Sequence, residues 1–337
     1  VPVVVLVLSS FASAGELETW VGGAVAGGVT AFTESGVASA DAVTTQAEVD
    51  GMVGWGWGHA RVDLDVHLDP NAIGQDGGEV LAYPSVAAGF PLWPEWAMVQ
   101  LGREKKHLRL GIFNPNIGVE DWEPWNNYAP TYSNNFTWVG SGRFLGADAG
   151  ISTGGGYDLF AFGGYDIDWD SVGGGVGVAT AQDAWSTWSG VVVYPEFAGG
   201  GCPGGEDTCF NAFAQLAVEV YPADPLWVVV EAYPGVKGGS FYTSTQLVVN
   251  VIPEAVVNPF ARAEVLLDPD AVTGSPGHTA SLGVRTDTPG FLRAMLEAKS
   301  VFLPGGTTDL GVAVTLAVHR PEPSPYSFTD PFGEEEE

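Results

Sequence analysis

His59, Arg61, Asp63, Asp65 and His67 place two imidazoles and two carboxylates at every second position, the residue types of a divalent-metal site. Residues two apart on one extended strand lie roughly 6.5–7 Å from each other, so a single strand does not supply a whole coordination sphere. The row reads more simply as the wetted face of a strand, and no metal is expected. Hydrolysis is no better supported. The chain has five histidines, His59, His67, His107, His278 and His319, and no serine lies in a recognisable nucleophile context. No nucleophile with a positioned base is legible, so no enzyme is expected. Asp268-Pro269-Asp270 has the oxygen donors for calcium, but two carboxylates in such a loop are ordinarily just solvated. No cofactor is implied.

Cys202 and Cys209 stand in the stretch GGGCPGGEDTCFN. Their spacing in a Gly- and Pro-rich run suits a loop disulfide in an oxidising compartment, with two free thiols as the alternative. Zinc would need further ligands, and no histidine lies in that run. The 12 Lys plus Arg against 41 Asp plus Glu give a formal charge of -29, which excludes nucleic acid as a partner.

The elements that must hold these residues are strands. The 47 glycines and 23 prolines weaken helix interiors. No later run approaches the roughly 20 consecutive apolar residues that a membrane helix needs. The start, VPVVVLVLSSFASA, reads as the back end of an export signal over residues 1–14, with Ala12-Ser13-Ala14 at the cleavage position. From there, alternation dominates. Ala60, Val62, Leu64, Val66 and Leu68 point one way, and His59 to His67 point the other. The same holds for Val49 against Glu48 and Asp50, and for Leu216 and Val218 against Gln215 and Glu219. It holds again for Ala263 and Val265 against Arg262 and Glu264, for Leu296 against Arg293 and Glu297, and for Val312, Val314 and Leu316 near the end.

Tight polar turns at Gly58, Arg103–Lys106, Thr153–Gly156, Pro222–Pro225, Pro253-Glu254 and Thr286–Gly290 alternate with longer linkers. The linkers run over Thr33–Ala42, Asp69–Glu95, Asn114–Val139, Glu196–Cys209 and Asp268–Gly277. Short turns on one side and long loops on the other are the habit of outer-membrane barrels. A soluble β-sandwich also alternates. Against it stand aromatics near strand ends, namely Trp20, Trp55, Trp57, Trp96, Trp169, Trp188, Tyr194, Tyr221, Trp227 and Tyr233, where a membrane interface would place them. A long series of hairpins also needs closure to remove its edges. The expected class is all-β: a transmembrane antiparallel up-and-down barrel over residues 15–320, of about sixteen strands, with 14 or 12 as alternatives. Residues 321–337 form an acidic, Pro-containing tail that reads as disordered.

One segment breaks the alternation. After Leu108, Leu110 and Ile112 the chain reaches Asn114-Pro115, and regularity resumes only near Arg143. A loop of this length is usually functional. Gly111, Phe113, Ile117, Gly118 and Glu120, followed by Trp122, Trp125, Asn126, Asn127, Tyr128 and Tyr132, resemble β-barrel porins of the OmpL-like type over about fifty residues. The resemblance implies a channel of the bacterial outer membrane without catalytic residues. The expected pore wall comprises Glu48, Asp50, Arg61, Asp63, Asp65, Arg109, Asp166, Glu219, Arg262, Glu264, Arg293 and Glu297. The loop 114–139 is expected to fold inward and narrow the pore with Glu120, Asp121, Trp122, Glu123 and Trp125. The acid excess predicts passive diffusion of small hydrophilic solutes with a preference for cations. A non-conducting structural or adhesion barrel is the alternative. Expected partners are outer-membrane lipid, small solutes or ions, and further copies of the chain in a homo-oligomer.

Overall fold

The computed structural model describes residues 18–34, 37–55, 57–67, 92–103, 106–115, 142–153, 155–182, 184–198, 202–203, 206–223, 226–251, 256–268, 270, 277–288, 292–303 and 308–319. The expected export signal, the acidic tail and residues 116–141 of the long loop lie outside them. The strands are β1 (Glu18–Glu34), β2 (Val37–Trp55), β3 (Gly58–His67), β4 (Leu92–Arg103), β5 (Lys106–Phe113) and β6 (Phe144–Thr153). They continue with β7 (Tyr157–Asp166), β8 (Ser171–Gln182), β9 (Trp185–Phe197), β10 (Cys209–Ala223) and β11 (Leu226–Lys237). The last are β12 (Ser240–Val251), β13 (Val257–Leu267), β14 (His278–Thr288), β15 (Leu292–Phe302) and β16 (Thr308–His319). Each strand pairs antiparallel with the next, and β1 closes on β16 from Ala24↔His319 to Phe32↔Gly311. The result is a closed barrel of 16 strands with no free edge.

At one end the connections are short, as from Trp55 to Gly58 and from Gln182 to Trp185. At the other end they run from His67 to Leu92, from Phe113 to Phe144, from Phe197 to Cys209 and from Leu267 to His278. The linker expected over Thr33–Ala42 is not there. β1 extends to Glu34 and β2 begins at Val37, with Phe32↔Ser39 and Glu34↔Val37 in register. Continued pairing satisfies the backbone groups of this polar stretch, which side-chain character alone made look like a loop. Leu92–Glu95, expected as linker, likewise belongs to β4.

Closure sorts the side chains by parity. On β10, Leu216 and Val218 are about half exposed, while Gln215 and Ala217 between them are buried. The outer face is an apolar belt of this kind from Val21 to Val318. Exposed aromatics rim it at both ends. Trp57, Tyr157, Trp185 and Tyr221 stand at the short-turn end, and Tyr165, Phe210, Phe241 and Phe302 at the long-loop end. Such paired girdles are what the two interfaces of a membrane select.

Several aromatics expected in those girdles are elsewhere. Trp96, Tyr194 and Tyr233 have the parity of the inner face and are buried in the lumen. Trp55 is covered at the β2–β3 turn, edge-on to Trp57 at 5.7 Å between ring centroids. Trp169 packs on Phe197 at 5.5 Å. The inner face is therefore not uniformly polar. Phe113, Phe144, Phe160, Phe162, Phe213 and Tyr242 join Trp96, Tyr194 and Tyr233 in one buried cluster.

Glycine makes room for these rings. Phe160 lies directly opposite Gly177, Phe162 opposite Gly175, Tyr242 opposite Gly235 and Phe260 opposite Gly283. A Cβ at any of the four glycines would run into the facing ring. Each ring thus lies along the wall, over a partner with no side chain, and restores apolar contact to the strand that carries the glycine.

Candidate functional site

The inner wall carries two sets of ionisable side chains. The first lies on β2 to β6. Glu48 and Asp50 project inward from β2, Arg61 and Asp63 from β3, Gln100 from β4, His107 and Arg109 from β5, and Asp148 from β6; all are buried. Arg61 Nε donates to Asp63 Oδ2. Arg109 Nε donates to Gln100 Oε1 at 3.0 Å and sits 3.7 Å from Asp148 Oδ1, which also meets His107 Nε2 at 2.8 Å. The Trp96 ring lies 5.2 Å from Arg61 Cζ and 6.0 Å from Arg109 Cζ. The ring's negative face suits both cations.

The second set lies on β10 to β15. Glu231 Oε1 accepts from Gln215 Nε2 at 2.9 Å and from Tyr233 at 3.1 Å, and its Oε2 accepts from Gln246 Nε2 at 2.5 Å. One carboxylate thus ties three adjacent strands. Arg262 Nη2 donates to Glu297 Oε1 at 2.9 Å across the wall, with both side chains fully buried. Glu264 accepts from the Thr279 hydroxyl, its direct neighbour on β14. Charge-assisted bonds of this type are the stronger class, and in a low-dielectric wall they fix the side chains.

Of the twelve expected wall residues, Glu48, Asp50, Arg61, Asp63, Arg109, Arg262, Glu264 and Glu297 are buried on the inner face, and Arg293 is half-buried on the same parity. Asp65 lies on β3, but its side chain is outside the described residues, as are Glu120, Asp121, Trp122, Glu123 and Trp125. Asp166 is buried on the inner parity at the end of β7. Its carboxylate accepts from the Gly142 amide at 2.9 Å, the Tyr194 hydroxyl at 2.6 Å, and the Asp168 and Trp169 amides at 3.1 and 3.2 Å. Beside it, Arg143 grips Asp168 with Nε at 3.0 Å and Nη2 at 2.5 Å. Asp166 is a staple between the returning end of the long loop and the β7–β8 turn. Glu219, too, is engaged, by Ser186, Trp227 and Tyr221 near the short-turn end.

Trp96, Gln100, His107, Asp148, Gln215, Glu231 and Gln246 belong to the wall and were not among the expected wall residues. The signal for most of them was present: Asp148 stands between Ala147 and Ala149, and Glu231 between Val230 and Ala232. Cys202 and Cys209 form a disulfide, with Cα atoms 5.8 Å apart, at the start of β10 on the long-loop end.

No family model matches this chain, and no curated protein matches it. Solved structures do. OmpF of Salmonella typhi, in complex with daunomycin, aligns with a TM-score of 0.64 at 12% identity, covering 89% of this chain and 97% of that one. The anion-selective porin from Comamonas acidovorans aligns with a TM-score of 0.61 at 14% identity, over 90% of this chain and 100% of the other. The outer-membrane channel DcaP of Acinetobacter baumannii aligns with a TM-score of 0.60 at 13% identity, over 91% and 99%. At such identities the likeness speaks for architecture alone, and that architecture is the 16-strand barrel of porins.

Proposed function

We propose that this chain is a porin of a Gram-negative outer membrane, in which small hydrophilic solutes and ions diffuse passively and cations are preferred. The observation that carries the reading is the closed wall itself, apolar outside and set with buried acids and arginines inside. The inner face presents Glu48, Asp50, Asp63, Asp148, Glu231, Glu264, Glu297 and Asp309, with half-buried Glu219, against Arg61, Arg109, Lys237 and Arg262, with half-buried Arg285, Arg293 and Lys299. Acids outnumber bases there, and an ion in a narrow lumen passes within about one Debye length of them, roughly 10 Å at 0.1 M salt. The same architecture serves a porin described as anion-selective, so the sign of selectivity rests on wall residues and not on the fold. In this reading the loop 114–139, which carries the OmpL-like resemblance, turns inward and brings Glu120, Asp121 and Glu123 to the constriction. Lipid and small solutes or ions are the partners, and homo-oligomers form as part of the same proposal.

Planar-bilayer recording tests it. Single-channel steps and a zero-current potential favouring cations are expected, and the preference falls in the variant Glu120→Gln, Asp121→Asn, Glu123→Gln, most at low salt. An anion-selective wild type defeats the electrostatic reading, and an unchanged triple variant removes the loop from the constriction. A second reading, a non-conducting structural or adhesion barrel, is favoured by one observation. Asp63, Gln215 and Glu297 are 0% exposed although they face the lumen. A folded barrel that gives no conductance steps selects that reading.

A further inference from the structure

Glu48, Asp50 and Asp63 stand together on the inner face of β2 and β3. Asp50 is directly opposite Asp63 in the β2–β3 register, and Glu48 lies two residues back on the same face, diagonal to Asp63. Like charges directly opposite one another across a sheet are unfavourable, yet one carboxylate oxygen from each of the three residues lies within 4.8 Å of the others. All three side chains are at most 3% exposed. Arg61 bonds Asp63, so within this group of four one positive charge faces three negative ones. Across the neighbouring strands the directly opposed residues are Ala24 for Glu48, Gly22 for Asp50 and Trp96 for Asp63, none of which brings a cation.

Asp50 supplies an independent observation. It is 1% exposed, and neither of its carboxylate oxygens has a hydrogen-bond partner among the described residues. An ionised carboxylate so placed bears its full desolvation cost unless a cation or a proton compensates it. We propose that Glu48, Asp50 and Asp63 hold a hard divalent cation of the calcium class on the lumen wall. Oxygen-only donors select calcium, magnesium or manganese over softer metals. Ligands on opposite sides of a calcium ion lie about 4.6–5.2 Å apart, twice the usual Ca–O distance, so a set spanning 4.8 Å fits around one ion. Two adjacent strands thus supply the donor set that one strand lacks.

The test is titration of calcium chloride into the full-length folded barrel in detergent after chelator treatment. Wild type, Asp50→Asn and Glu48→Gln are compared by calorimetry and by melting temperature. The site predicts saturable binding in the micromolar to millimolar range and a rise in melting temperature in wild type. Affinity should fall about tenfold or more in Glu48→Gln and vanish at this site in Asp50→Asn. Absence of saturable binding to wild type overturns the proposal. So does equal binding by all three proteins, which would place the calcium elsewhere, for instance at the Asp268 and Asp270 loop. If Asp50→Asn fails to fold, wild type against Glu48→Gln decides by the same criteria. A calcium-independent gain of stability in Asp50→Asn, with no binding by wild type, would assign the compensating charge to a shared proton and overturn the ion. Binding is read without conductance, so failure here and failure of the channel reading are distinguishable.

Discussion

Leu216→Arg puts a charge where the structure places the middle of a lipid layer. On β10, Leu216 lies five residues from Tyr221 of one exposed aromatic girdle and six from Phe210 of the other. With a rise of about 3.4 Å per residue and a barrel tilt of about 40°, the two separations become roughly 13 and 16 Å along the membrane normal. Their sum, about 29 Å, is close to the apolar band of about 25 Å that such barrels present. Leu216 points outward, 49% exposed, between the buried Gln215 and Ala217. Arginine there should cost about 2–4 kcal/mol, a shift of roughly 30- to 900-fold in the folding equilibrium. Val218→Arg, about 8 Å from the Tyr221 girdle, should cost about 1–2 kcal/mol. Gln182→Arg, exposed at the β8–β9 turn, should cost at most about 1 kcal/mol. The assay is reversible guanidinium unfolding of the barrel in lipid vesicles, followed by tryptophan fluorescence. Equal costs at the three positions would show that the outer face is not in lipid, and the depth argument would fail with it.

Three further outcomes follow from the wall and the loop. Protein isolated without reductant should lack two hydrogens relative to the reduced mass, and Cys202→Ser with Cys209→Ser should lower stability by about 2 kcal/mol, the entropy of so short a loop; a mass showing two free thiols would refute the pairing. Gly177→Val should destabilise by about 1–3 kcal/mol, because its Cβ runs into the Phe160 ring. Gly51→Ala, where the new Cβ has only ordinary contact at 3.9 Å, should stay within about 0.5 kcal/mol, and equal losses would discount the ring-over-glycine packing. Glu297→Ala should cost about 3–5 kcal/mol by breaking its buried pair with Arg262, while Arg262→Met with Glu297→Leu should recover most of it. A double variant no better than the single one would show that the pair does more than neutralise itself.

The barrel was legible because its physics is local. A strand between lipid and a charged interior must alternate, and HARVDLDVHL or FARAEVLL state that alternation residue by residue. From it follow the membrane class, the approximate strand number, and the inward direction of Asp63, Arg109, Arg262 and Glu297. The loop disulfide was readable for the same reason, since seven positions in a Gly-rich run leave Cys202 and Cys209 few ways to be far apart.

Register and partnership were not legible, since each depends on which residue of a neighbouring strand falls opposite, and one shifted position changes every contact. Polar character made Thr33–Ala42 look like a loop until pairing carried β1 and β2 through it. Proximity to strand ends made Trp96, Tyr194 and Tyr233 look like interface aromatics, whereas their inward parity makes them part of the buried wall packing. Asp166 and Asp63 are both inward acids in the sequence. Closure makes one a staple for Gly142, Tyr194 and the β7–β8 turn, and sets the other 4.8 Å or less from Glu48 and Asp50. Side-chain direction is a property of a strand and its period, and the chain states it. Which charges meet is a property of sixteen strands in one closed register, and only the folded wall brings Glu48, Asp50 and Asp63 to a single point.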